Sequence, residues 1–209
     1  MLNSKRLASI ANFIDESDNV ADIGADHGKL VIELANKNKN KKFLAVENKA
    51  GPFRNLKNAV EKYNFNKNIE CSFSDGIEYM PNYLDTLIFA GMGGINVINI
   101  ISKHLDNLKN IKKIVFCVHK DAYLLELTLK KYGFFPINHV FVTENDKTYI
   151  IFNTVFDLNK FNEFNHKNVN KENLNSELHE KYSSVVDNLS KYYEKHLKTT
   201  IIGGLKNEN

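Results

Sequence analysis

Apolar positions change their spacing several times along this chain, and each change predicts an element. Leu7, Ile10, Ala11 and Ile14 recur at helical intervals, so an amphipathic helix over residues 5–13 opens the chain. The short apolar run of residues 19–24 then ends in a glycine and is followed by the helix-like 29–35, which reads as strand, glycine turn, helix. The same alternation returns four times. Strands at 43–47, 69–73, 85–90 and 114–118 are followed by helices at 52–63, near Ile77, at 95–101 and at 122–132. Strands alternating with helices imply a parallel sheet covered on both faces. After Gly133 the rhythm becomes strand, short polar turn, strand, over 137–143 and 148–156. So short a connection permits only antiparallel pairing, because a parallel pair needs a crossover of about a dozen residues.

Past Asp157 the chain turns Asn/Lys-rich and poor in pattern over 159–175. Leu178, Tyr182, Val185, Leu189, Tyr192 and His196 then step by four and three, a heptad seam that predicts one long helix. Such a helix needs a partner, because two and a half heptads do not stand alone in water. The expected organisation is a domain over 1–157 followed by a connector and helical domain over 158–209.

Composition adds exclusions. With 209 residues, 43% hydrophobic and 25% charged, the chain is an ordinary globular protein. Its 28 basic and 25 acidic residues leave a net charge of +3, which permits a nucleic-acid partner without demanding one. No apolar stretch approaches the ~20 residues that span a bilayer, and the N-terminus has polar breaks where a secretory signal is apolar. A cytoplasmic protein with no membrane partner is expected. Cys71 and Cys117 read as core residues, and His104, His139 and His166 lack metal-ligand spacing, so no metal is expected.

Candidate chemistry sits at the strand ends. The first strand runs into Asp22-Ile23-Gly24-Ala25-Asp26-His27-Gly28. A glycine turn between a first parallel strand and its helix is where open α/β sheets bind nucleotide-like ligands. The pattern is G-x-D-x-G, and an aspartate there repels a pyrophosphate but suits a cationic amino-acid group. S-adenosylmethionine (SAM) carries an ammonium and a sulfonium and no phosphate. Glu47 closes the second strand, where an acid accepts from ribose hydroxyls, and Asp75-Gly76 closes the third, in position to meet an adenine amine. Each signal alone also fits an ordinary turn. The fourth strand ends in Ala90-Gly91-Met92-Gly93-Gly94, whose glycines leave a groove that admits a flat base.

Ser4-Lys5-Arg6-Leu7, the Ala21–His27 loop, Glu47 with Gly51-Pro52-Phe53, Asp75-Gly76 and Ala90–Gly94 together resemble the bacterial tRNA (adenine-22-N1)-methyltransferase family, TrmK, from about Ser4 to Phe156. The resemblance implies a Rossmann-like class I methyltransferase sheet, mostly parallel with a C-terminal antiparallel hairpin. It also implies a small C-terminal helical, coiled-coil-like domain, with SAM as cofactor and tRNA as substrate. Carried over, Gly24, Asp26 and Gly28 line the methionine end of the cofactor, Glu47 the ribose and Asp75 the adenine, with Asp22, Gly76, Ala90 and Gly91 as further cofactor-binding residues. Asp26 and His27 face the incoming base as catalytic residues. Met92, Gly93 and Gly94 form a platform for that base, and Lys5 and Arg6 contact tRNA. For Asp26 the alternative is a turn residue that only holds the cofactor. Three departures from the family stand out: Cys117-Val118-His119 in place of Gln-Pro-Asn, Glu126 in place of Arg, and a short C-terminal part. The competing functions are methylation of another RNA base or a small molecule, an NAD(P)-dependent oxidoreductase, and a non-catalytic RNA-binding relic. A monomer is expected, with self-association through the last helix as the alternative.

Overall fold

A computed structural model of the chain describes residues 4–166. Seven strands form one sheet: β1 (Val20–Ile23), β2 (Phe43–Glu47), β3 (Ile69–Phe73), β4 (Thr86–Ala90), β5 (Lys113–Val118), β6 (Phe134–Glu144) and β7 (Lys147–Phe156). Their order is β3-β2-β1-β4-β5-β7-β6. The first five pair in parallel and β7 joins β5 and β6 antiparallel, so the expected parallel sheet with a closing hairpin is present.

Strand alternation sorts the apolar residues between two layers. Ile23, Val46, Phe89, Phe116 and Phe152 face α4 (Gly94–Lys103) and α5 (Ala122–Lys131), which contribute Val97, Ile101, Leu125 and Leu129. Phe89, Phe116 and Phe152 occupy one register row and stack at centroid distances of 5.7 and 5.0 Å. Val20, Ala45, Ile88, Val115 and Ile151 point the other way, toward α1 (Lys5–Ala11), α2 (Lys29–Lys37) and α3 (Ala50–Lys62). Asp22 has the parity of Val20, so its side chain is directed to the face that α1 covers.

Two expectations are corrected. No helix forms near Ile77, where a chain of turns leads to Pro81 and β4. Ile77 is fully buried, and its carbonyl and that of Glu78 accept from Asn107 Nδ2 at 2.7 and 3.1 Å, a tertiary substitute for helical hydrogen bonds. The region after Asp157 is not pattern-free at its start, since α6 (Leu158–His166) forms there. Asp157 caps it, its carboxylate accepting from the Lys160 N–H at 3.0 Å, and α6 packs against α5. The proposed boundary at 157/158 therefore falls at the start of a helix attached to the sheet domain. The heptad seam from Leu178 to His196 lies outside the described residues.

Glu126, one of the departures from the family pattern, is wholly buried on α5 and pairs with His139 Nε2 at 2.7 Å. His139 stacks on Phe152 at 5.4 Å, extending the aromatic row onto β6. Glu126 is thus a buried hydrogen-bond partner for this chain's own His139.

Candidate active site

One cleft of about 1060 Å³ lies over the C-terminal ends of the parallel strands. Asp22, Gly24, Asp26 and His27 reach it from the end of β1, Glu47 from β2, Asp75 from the turn after β3, and Ala90, Gly91 and Met92 from β4. These are the strand ends that the sequence singled out. A second hollow of about 910 Å³ opens at the opposite ends of the strands and holds none of these residues.

The first loop is shaped by left-handed backbone. Gly24 and Gly28 have φ of +76° and +70°, and Asp26 between them has +50°. A side chain on Gly28 would be strained by that φ and would also meet Leu56 Cδ1 at 2.7 Å. The turn lets the Gly24 and Ala25 N–H groups both donate to the Val46 carbonyl at 2.9 Å, tying β1's exit to β2. Glu47 completes the tie: its carboxylate accepts from the N–H groups of Asp26, Asn48 and Lys49 at 3.2, 3.0 and 2.9 Å. A carboxylate has about four acceptor sites, so room for a hydroxyl donor remains.

The other acids differ in setting. Asp26 and His27 lie at the mouth with side chains 60% and 53% exposed, His27 Nε2 being 3.6 Å from Asp26 Oδ2. Asp75 is held by Lys103 Nζ at 2.9 Å and Asn48 Nδ2 at 3.1 Å, hydrogen bonds that keep its carboxyl below the ordinary carboxylate range. Asp22 is buried at the floor. Burial pushes its pKa up to about 7, against the opposing pull of the Arg6 guanidinium.

Of the two residues expected to contact tRNA, Lys5 is exposed and off the cleft, whereas Arg6 is folded into it. Its guanidinium carbon lies 5.1 Å over the Tyr149 ring, Nε is 3.7 Å from Glu144 Oε2, and Nη1 is 3.9 Å from Cys117 Sγ. Ser4 Oγ donates to the same Glu144 oxygen at 2.9 Å and also accepts from the Leu7 N–H, capping α1. His119 meets Tyr149 edge-on at 6.1 Å. Glu144, Lys147, Tyr149 and His119 all line the cleft, and the sequence reading assigned none of them a role in the site. The β6–β7 hairpin brings Glu144, Lys147 and Tyr149 there, and no local motif announces such a contact.

Gly28, Gly76, Gly93 and Gly94 do not line the cleft. Gly93 and Gly94 are buried under it, against Lys120 and Asp121. A Cβ on Gly94 would overlap the Asp121 carbonyl oxygen, so this glycine sets the close approach of α4 to the start of α5. Gly94→Ala is expected to lower stability by about 1–3 kcal/mol, the cost of overpacking, measured as a reduced urea midpoint with unchanged slope.

The donor set fits the methyl donor that the strand-end acids suggested. Carboxylates stand at three successive strand ends, and a narrow glycine turn lies between the first two. They can meet an ammonium, a ribose diol and an adenine amine in that order. Among the described residues, no group of three His, Cys, Asp or Glu side chains could hold a metal ion, and no helix is long and apolar enough to cross a membrane.

Known proteins share sequence and fold with this chain. A Bacillus subtilis protein named tRNA (adenine(22)-N(1))-methyltransferase is 31% identical over 147 residues, covering 70% of this chain and 62% of that protein. The chain thus spans about three fifths of the length of that curated relative. The crystal structure of the B. subtilis M1A22 tRNA methyltransferase TrmK superposes with a TM-score of 0.72 at 24% identity, over 95% of each chain. M. capricolum TrmK in complex with S-adenosyl-homocysteine superposes with a TM-score of 0.68 at 25% identity, over 75% of this chain and 70% of that one. A family described as a methyltransferase domain matches residues 3–152. Since that match runs from α1 into β7 and takes in every strand end that meets at the cleft, the chain belongs to the methyltransferase-domain family.

Proposed function

We propose that this protein transfers a methyl group from SAM to N1 of adenine 22 in tRNA. The observation that carries the reading is the convergence of Asp22, Asp26, Glu47 and Asp75 on one cleft that continues, past Gly91 and Met92, into an aromatic and charged acceptor side. The likeness to the B. subtilis methyltransferase supports it.

When bound, SAM supplies an electrophilic methyl group on a sulfonium. Asp22 faces the ammonium end as a counter-charge, with Gly24 giving the backbone its close approach and Gly28 closing the turn behind it. Glu47 accepts from the ribose and Asp75 from the adenine amine of the cofactor. Gly76 holds the turn that presents Asp75, and Ala90 with Gly91 closes the opposite side. Adenine N1 has a lone pair and no proton, so these residues need supply no strong base. Alignment and exclusion of water carry most of the work. As the base becomes an amidinium, the Asp26 carboxylate at the mouth stabilises the growing positive charge, and His27 beside it takes the ring edge. Met92 borders the base's path, while Gly93 and Gly94 support the loop from beneath.

The same reading makes tRNA the partner and the cytoplasm the working compartment, with a monomer as the active unit. It assigns catalysis to residues 1–157 and an accessory role to 158–209. Methyl transfer from labelled SAM to unmodified tRNA, run beside the same tRNA with adenine 22 changed, tests it. Incorporation that disappears with the change is expected. Equal incorporation into both would move the activity to another base, and none into either with SAM bound would leave another substrate or a non-catalytic binder.

A further inference from the structure

The sheet order places Asp22, Glu47 and Asp75 on the β3-β2-β1 half of the cleft and leaves the side over β4, β5 and β7 to an acceptor. On that half a flat, delocalised cation already has a fitted place. The Arg6 guanidinium lies over the Tyr149 face at 5.1 Å with a Glu144 oxygen 3.7 Å from its Nε, and its Nη1 would be 4.0 Å from a Cβ on Gly91. The aromatic face attracts cations through its quadrupole, and the carboxylate adds the counter-charge. Ser4 fixes that carboxylate by hydrogen bond, and His119 braces the ring from its edge.

We propose that this hairpin wall is the acceptor-base subsite, in which the face of Tyr149 receives the adenine ring, Glu144 accepts from its exocyclic amine, and Arg6 occupies the place until the base arrives. The inference rests on the methyl-transfer reading above and deepens it. In the transfer the N1 lone pair forms the new N–C bond while the S–C bond breaks and leaves its electron pair on sulfur. No proton moves, and the positive charge passes from the sulfonium to the N1–C6–N6 amidine. The product is therefore a flat, delocalised cation of the same electronic kind as a guanidinium. A wall that holds Arg6 binds the charged ring better than the neutral one, and that difference lowers the barrier. Two such cations cannot share the ring face. Arg6, on its long flexible stem, swings toward the mouth as the base enters, where a phosphate of the same RNA receives it.

Binding of N1-methyladenosine and of adenosine to the S-adenosyl-homocysteine-loaded protein, by equilibrium dialysis, tests the subsite without turnover. The intact protein is expected to prefer the methylated nucleoside about tenfold, within the range of a desolvated cation–π contact. Tyr149→Phe keeps the preference, whereas Tyr149→Leu and Glu144→Gln bring it near parity with unchanged affinity for S-adenosyl-homocysteine. The same two variants lower kcat on tRNA about tenfold. Parity in the intact protein, or a preference that survives Tyr149→Leu, overturns the proposal. Loss of the adenine-22 dependence with the nucleoside preference intact removes the tRNA position alone. Full activity of the Tyr149→Leu variant removes the subsite alone.

Discussion

Asp26→Asn is expected to cut the rate of methyl transfer by about 10²–10³, the usual consequence of removing one group aimed at developing charge. The substitution suits the site. Asp26 has φ +50° and its side chain is 60% exposed, so asparagine, which tolerates the left-handed region, replaces it without strain or a cavity. Its backbone N–H still donates to Glu47, which keeps the loop in place. The variant should therefore unfold at the same urea concentration as the parent and bind S-adenosyl-homocysteine about equally well. Single-turnover rates at saturating SAM measure the loss directly. An unchanged rate would leave Asp26 as a turn residue that serves the cofactor alone.

The second large effect is a pH dependence of cofactor binding governed by Asp22. Its carboxyl, buried at the floor of the cleft, titrates near pH 7 because burial penalises the charged form more than Arg6 favours it. An ammonium brought to this position favours the ionised form. Binding therefore releases a proton below pH 7, and affinity should rise about tenfold per pH unit between roughly pH 5 and 7 before levelling above it. The stability of the free protein follows the opposite course. Here the folded pKa lies above the unfolded one, so the native state holds the extra proton. The contribution is fully present below about pH 4 and is lost as pH rises toward 7. Titration calorimetry across this range, in buffers of different ionisation enthalpy, reads both the affinity and the released proton. Asp22→Asn should flatten the profile, and a flat profile in the parent would remove Asp22 from the cofactor site.

The alternating elements were legible because each rests on a period built into the backbone. Val20–Ile23 followed by a glycine turn and an amphipathic helix needs no distant partner to be recognised. The same holds for the acidic half of the cleft, whose carboxylates sit at strand ends within short local strings. Two misreadings had different causes, one local and one distant. Asp157 with Lys160 three residues on was a cap signal submerged in asparagines, and the turns around Ile77 replaced a helix because Asn107 offered its carbonyl partners from elsewhere.

Sequence by itself thus determined the succession of strands and helices, the antiparallel ending and the acidic strand ends, since all of these depend on neighbours a few residues apart. Tertiary structure alone decided the strand order, the placement of Arg6 in the cleft and the assembly of Glu144, Tyr149 and His119 into one wall of it. Arg6 lies 111 residues from Cys117, and Ser4 lies 140 from Glu144. Contacts of that range are set by which apolar faces bury against each other. Ile10 and Ala11 draw α1 onto the sheet face to which Asp22 and Cys117 also point, and Arg6 arrives in the cleft as a result.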